Sequence, residues 1–180
     1  MNGIISKNNI YLTKLVRNVS ISAYEKKYDE VLRNLRLAAE TILKSVIYYH
    51  NNLKHQINKG FNDFPVSLDG QELSVRVNND GKITIKYPGQ SARPLMLNDS
   101  IKIVDKLNLL DNNETFNAFK FIRIKGNEAS HSNDAIFSDN DITLARESLE
   151  IILKWYFLFN LKENIPIPII KALQINSLDL

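Results

Sequence analysis

The feature that most constrains this chain is a long run of helical apolar spacing from about Tyr24 to Ile57. Tyr28, Val31, Leu32, Leu35, Ala39, Ile42, Val46, Tyr49 and Leu53 recur three and four residues apart, and Gly60 marks a stop. A helix of that length carries an apolar stripe that has to be covered, so other helices must pack on it. Leu37, Ile47 and Tyr48 lie off the stripe, which predicts neighbours on two sides. The expected fold class is therefore mainly α, with this helix as a central member of a bundle.

The period then changes. Phe64 to Leu68, Glu72 to Val77 and Lys82 to Tyr87 alternate with period two. Asp69-Gly70 and Asn78-Asn-Asp-Gly81 stand between them as turn signals. These residues read as a small β-meander or hairpin, about 64–87, inserted between helices. Pro88, Gly89 and Pro94 lead the chain back to the helical body by residue 97. Asn98-Asp-Ser100 is expected to cap a short helix carrying Ile103, Val104, Leu107 and Leu110. Asp111-Asn-Asn113 caps the next helix, roughly Glu114 to Ser130, and Ser138-Asp-Asn-Asp141 caps a last long one, about Asp141 to Leu161. That last helix is apolar on two faces: Ile142, Ala145, Leu149, Ile152, Tyr156 and Phe159 form one stripe, and Leu144, Ile151, Trp155 and Leu158 a second. The prolines of Ile165-Pro-Ile-Pro-Ile-Ile170 predict an extended strap or linker over 163–180. A single domain over residues 1–180 accommodates all of this.

The chain has no cysteine, which excludes disulfides and thiolate metal sites and fits a cytoplasmic protein. No apolar run reaches the roughly 18 residues that a bilayer span needs. Met1 to Ser20 mixes Lys7, Lys14 and Arg17 with isoleucine and leucine and has no signal-peptide core. The formal net charge of +3 suits contact with nucleic acid without demanding it. The histidines His50, His55 and His131 lack ligand spacing, so no metal and no cofactor is expected. His50 and His55 read as helix-surface residues.

One stretch stands out chemically. In Arg123-Ile-Lys-Gly-Asn-Glu-Ala-Ser-His131 the residues Arg123, Asn127 and His131 fall four apart and share one helical face, a stripe about 12 Å long. Phe116 and Phe119 continue it upstream, so the polar trio extends an apolar face, where polar groups require partners or a purpose. Arg123 invites two readings: a partly buried ion pair with Glu40 across the bundle, or phosphate recognition through its planar fork. His131 reads either as a helix-end residue favoured by the dipole or as a general acid or base. Gly126 costs about 1 kcal/mol relative to alanine in a helix. Its presence implies a close helix approach or a substrate passing the backbone. Arg36 and Glu40 stand at the spacing of a surface ion pair. Arg76, Lys82 and Lys86 of the meander either solvate an exposed sheet face or touch a phosphate, and Trp155, Tyr156, Phe157 and Phe159 read as core or interface.

The pattern Arg123-x-x-Gly126-Asn127-x-Ala129-x-His131, with Leu32-Arg-Asn-Leu-Arg36-x-x-x-Glu40 before it and the Trp155 helix after it, resembles a helical prokaryotic family grouped with the HEPN superfamily. Members of that family occur alone or near the N-terminus of type I restriction endonuclease R subunits and other defence proteins. The resemblance covers about Tyr28 to Ile57 and Asp99 to Phe159. It implies an up-down helical bundle, commonly a homodimer or bound to a partner chain, with RNA or DNA as a further partner. By the same resemblance active members are metal-independent ribonucleases, with His131 as acid or base, Asn127 as a positioning group and Arg123 on the phosphate. The active pattern carries arginine immediately before the asparagine, where this chain has Gly126. Two expectations follow: a non-catalytic interaction module in which Arg123, Asn127, His131 and Glu40 form a buried network, and the alternative, a ribonuclease-like effector using His131 and Arg123.

Overall fold

The computed structural model describes residues 3–55, 63–77, 82–131 and 135–174, apart from some side chains among them. Helices α1 (Gly3–Tyr24) and α2 (Tyr28–His55) are followed by strands β1 (Asp63–Leu68), β2 (Gln71–Val77), β3 (Ile83–Lys86) and β4 (Arg93–Pro94). Helices α3 (Leu97–Lys106), α4 (Asn113–His131), α5 (Asp139–Lys154) and α6 (Ile167–Gln174) complete the order, with a π-helical segment, Trp155–Leu161, continuing α5. The protein is mainly helical, with a small antiparallel sheet of strand order β1-β2-β3-β4.

Helix α2 is the hub of the bundle. It packs against α1, α3, α4 and α5. Val31, Leu32, Leu35, Ala38, Ala39, Ile42, Leu43, Val46 and Ile47 are all buried along it, an apolar face too wide for one neighbour. Of the three off-stripe residues, Ile47 and Tyr48 are buried while Leu37 faces solvent. Helix α1 buries Ile5, Leu12, Leu15, Val16 and Val19 against this hub. Its asparagine, serine and threonine content dilutes the apolar signal.

The meander pairs as its alternation requires. Leu68 and Gln71 flank a two-residue turn in which Asp69 (φ 50°) and Gly70 (φ 79°) both take the left-handed conformation of a type I′ hairpin. Leu73, Val75, Val77, Ile83 and Ile85 point inward, and Arg76, Lys82 and Lys86 are exposed on the outer side. The Asn78–Gly81 turn lies outside the described residues, as do the ends of the predicted first helix at Ile57 and Gly60.

Helix starts follow local chemistry. Asn112 Oδ1 accepts from the Thr115 amide at 2.8 Å at the head of α4. The Ser138 hydroxyl accepts from the Asp141 amide at 3.2 Å, and the Asp141 carboxylate accepts from the Ser138 amide at 2.9 Å, a reciprocal capping box. Helix α3 differs from expectation: it begins before Asn98, and Asp99 in its first turn reaches back to the Met96 amide at 3.2 Å. Arg93 holds that buried carboxylate in a fork, at 2.7 and 3.0 Å.

Two elements near the C-terminal side depart from the sequence reading. The long terminal helix opens at Trp155 into wider π turns, which bury Trp155, Tyr156 and Phe157 in succession. The Trp155 indole donates to the Leu109 carbonyl at 3.1 Å, and the Tyr156 hydroxyl donates to Asn9 Oδ1 at 2.8 Å. The aromatic residues are thus core except Phe159, which is exposed, as are Leu144 and Leu158 of the second stripe. The expected extended strap contains helix α6 instead. Pro168 sits in its first turn, where a missing amide N–H costs nothing, so Ile169 and Ala172 are buried, with α6 packed on α1.

Candidate functional site

Helix α4 buries Thr115, Ala118, Phe119, Ile122, Gly126 and Ala129. The predicted polar face lies on the flank of that stripe. Phe119 is buried, Phe116, Arg123 and Asn127 are half-buried, and His131 is exposed at the end of the helix. The three polar residues therefore climb from the bundle toward solvent instead of being sealed inside it.

The centre of the motif is filled by α2. A Cβ placed on Gly126 would lie 2.6 Å from Arg36 Cβ and 3.1 Å from both Arg36 Cδ and the Leu32 carbonyl oxygen. Carbon atoms in ordinary contact stand about 3.5–4.0 Å apart, so only glycine fits this crossing. The stem of Arg36 lies over Gly126 and its guanidinium reaches the Ser130 hydroxyl at 3.3 Å. Ser130 in turn donates to the Gly126 carbonyl at 2.7 Å. One turn earlier on α2, Arg33 Nε donates to the Ala129 carbonyl at 2.9 Å. Two arginines of α2 thus meet the last turn of α4, where exposed carbonyls and the helix dipole favour cations. The spacing of Arg33 and Arg36, three apart on one helix, was the visible signal for this pair; Ser130 carried none.

Other expected contacts are not formed. Glu40 takes Lys44 at 2.5 Å, its own helix neighbour, and pairs with neither Arg123 nor Arg36. The i, i+4 lysine is tethered to the same helix, while a bridge to Arg123 must span two helices. The Nε of Arg123 is buried and has no hydrogen-bond partner among the described residues. No side-chain hydrogen bond joins Arg123, Asn127, His131 and Glu40 there, so the expected buried network is absent from the described residues. Lys125 is engaged by carboxylates, 3.0 Å from Asp141 on α5 and 3.3 Å from Glu128 on its own helix. The Ser138 amide and hydroxyl, with the Lys125 ammonium, hold the Asp141 carboxyl down at about 2.

Among the described residues no three histidine, aspartate or glutamate side chains gather in a way that could hold a metal ion. His50 is half-buried with its ring 6.5 Å from that of Phe64, and the His55 side chain lies outside the described residues. No described helix is long and apolar enough to cross a membrane. Concavities among the described residues lie away from the motif. One, about 830 Å³, runs over the outer sheet face between Ser74, Arg76, Thr84, Lys86 and the Gly89–Ala92 loop. Another, about 550 Å³, lies between α1 and α6. Compared with protein-family models, curated proteins and solved structures, the chain matches none.

Proposed function

We propose that the chain is a non-catalytic helical interaction module, HEPN-like in kind, that contacts a partner chain or nucleic acid within a prokaryotic defence or restriction-type assembly in the cytoplasm. The observation that carries this reading is the filled position beside Gly126, where Arg36 leaves only 2.6 Å for an added carbon. A motif built to hold a helix crossing has no need of a cleft at the same point. The exposure of His131, whose ring is held by no carboxylate or carbonyl among the described residues, supports the same reading, because an acid or base acts from a fixed orientation. Arg123 and Arg33 offer positive charge toward the end of α4, suited to a phosphate backbone or an acidic partner. A homodimer built on the same bundle belongs to this proposal.

The second reading is the metal-independent ribonuclease. What favours it is the unsatisfied, buried Nε of Arg123 on the same face as His131. A scissile phosphate would satisfy that donor. The two readings separate on incubation of the protein with tRNA and mRNA in excess chelator. The module leaves both RNAs intact at high protein concentration. Cleavage that disappears in His131→Ala overturns the module in favour of the nuclease.

A further inference from the structure

Helix α1 carries no aspartate or glutamate between Gly3 and Tyr24, while Lys7, Lys14 and Arg17 stand on it. These cations share one exposed stripe with Ile10, Ile21 and Tyr24, at spacings of three and four residues. Tyr24 is 77% exposed and Ile10 70%, large areas for apolar side chains on a folded surface. Helix α6 runs alongside and adds the exposed Ile167, Pro168 and Lys171. Between the helices lies the groove of about 550 Å³, lined by Arg17, Ile21, Tyr24, Pro168, Lys171 and Ala172, among others. Lys7, Lys14, Arg17 and Lys171 have no ion-pair partner among the described residues.

We infer that this α1–α6 face docks an acidic amphipathic helix of another protein, its apolar side chains seated in the groove and its carboxylates on Lys14, Arg17 and Lys171. Charge complementarity selects this occupant. A second copy joined through the same face would oppose lysine and arginine with lysine and arginine, which repels. A bilayer favours a continuous apolar face, and here cations interrupt the stripe while the apolar lining is concave. A nucleic-acid strand would use the cations and leave the aliphatic lining without a role. An apolar groove rimmed by unpaired cations matches an apolar ridge flanked by carboxylates, the helix-in-groove mode of recognition. The inference goes beyond the motif on α4 and stands without it.

The test uses the full chain and a labelled helical peptide of about four turns, with leucines at i, i+3, i+4 and i+7 and glutamates on the remaining face. Fluorescence anisotropy is expected to show saturable binding that weakens as salt rises. The double substitution Arg17→Glu with Lys171→Glu is expected to weaken it about tenfold or more. Lys106→Glu with Lys120→Glu, an equal charge change on α3 and α4, should leave it unaltered. All four positions are exposed, and a thermal melt of each variant verifies the fold. The inference is overturned by absent binding or by equal losses in the two double variants. It is equally overturned if phosphatidylglycerol vesicles or a single-stranded oligonucleotide bind through this face and the peptide does not. Dissociation of a dimer by Arg17→Glu would assign the face to a second copy. Peptide binding seen only after removal of residues 175–180 would assign it to the chain's own Leu178-Asp179-Leu180. None of these outcomes bears on the RNA assay that tests the α4 motif.

Discussion

Gly126→Ala sets two effects of similar size and opposite sign against each other. Helix propensity alone favours alanine by about 1 kcal/mol. The crossing opposes it, because the new Cβ would meet Arg36 Cβ at 2.6 Å. That is roughly 1 Å short of an ordinary carbon–carbon contact. Arg36 Cβ is fixed to the backbone and cannot swing aside, so α2 and α4 must part along their shared apolar face. Overpacking of this kind costs about 1–3 kcal/mol. The net expectation is a loss of about 1 kcal/mol, which in a chain of this size lowers Tm by about 2–4 °C. Thermal unfolding followed by circular dichroism reads the sign directly. The neighbouring contact provides a sharper check: Arg36→Gly should relieve the clash, whereas Arg36→Ala, which keeps the Cβ, should not. A double-mutant cycle between Gly126→Ala and Arg36→Gly is expected to give a coupling of about 1 kcal/mol or more. If Gly126→Ala raises Tm and shows no coupling to Arg36, the close crossing is refuted, and with it the reason for preferring a module to an enzyme.

Three further outcomes follow from the contacts described above. Ser138→Ala should cost about 1 kcal/mol near neutral pH by removing the cap of α5. Asp141 is held at about 2 against an ordinary 3.8, so its contribution is present above about pH 4 and fades as pH falls toward 2. Acid titration of Tm should therefore flatten in that window in Ser138→Ala. Burial pushes the Tyr156 hydroxyl up to about 12 from 10.0, so the neutral ring stabilises the fold fully below pH 10 and less as pH climbs through 12. Tyr156→Phe should lose about 1 kcal/mol with the Asn9 hydrogen bond and show a shallower alkaline decline in denaturant midpoint. His131→Ala should shift stability by no more than about 0.5 kcal/mol, since the side chain is exposed and has no partner among the described residues. A large loss there would mean that a sealed network exists after all.

What was legible in the sequence was what period and local chemistry encode. The α2 stripe, the Asp69-Gly70 turn, the α5 capping box and the cap at Asn112 are each written within a few residues, because hydrogen bonds and side-chain spacing there depend on near neighbours. Gly126 was legible as a close approach for the same reason: glycine in a helix interior is a local anomaly. The chain therefore specified by itself a mainly helical body built on α2, an inserted antiparallel meander and a polar face on α4.

Partner choice was decided only by the tertiary structure. Whether Glu40 takes Lys44 or Arg123 depends on the distance between two helices, which no spacing along one helix reveals. Arg36 faces Gly126 and Ser130 for the same reason. The contacts of Trp155 and Tyr156 are also tertiary, the indole donating to the Leu109 carbonyl and the phenol to Asn9, residues far away in the chain. Likewise Pro168 begins a helix, and does not bar one, because α1 offers a surface for Ile169 and Ala172 to cover. Pro168 and Lys171 lie more than 140 residues from Arg17 and Ile21 in the chain. Only folding brings them to one groove, and sequence spacing carries no information about contacts between elements that far apart.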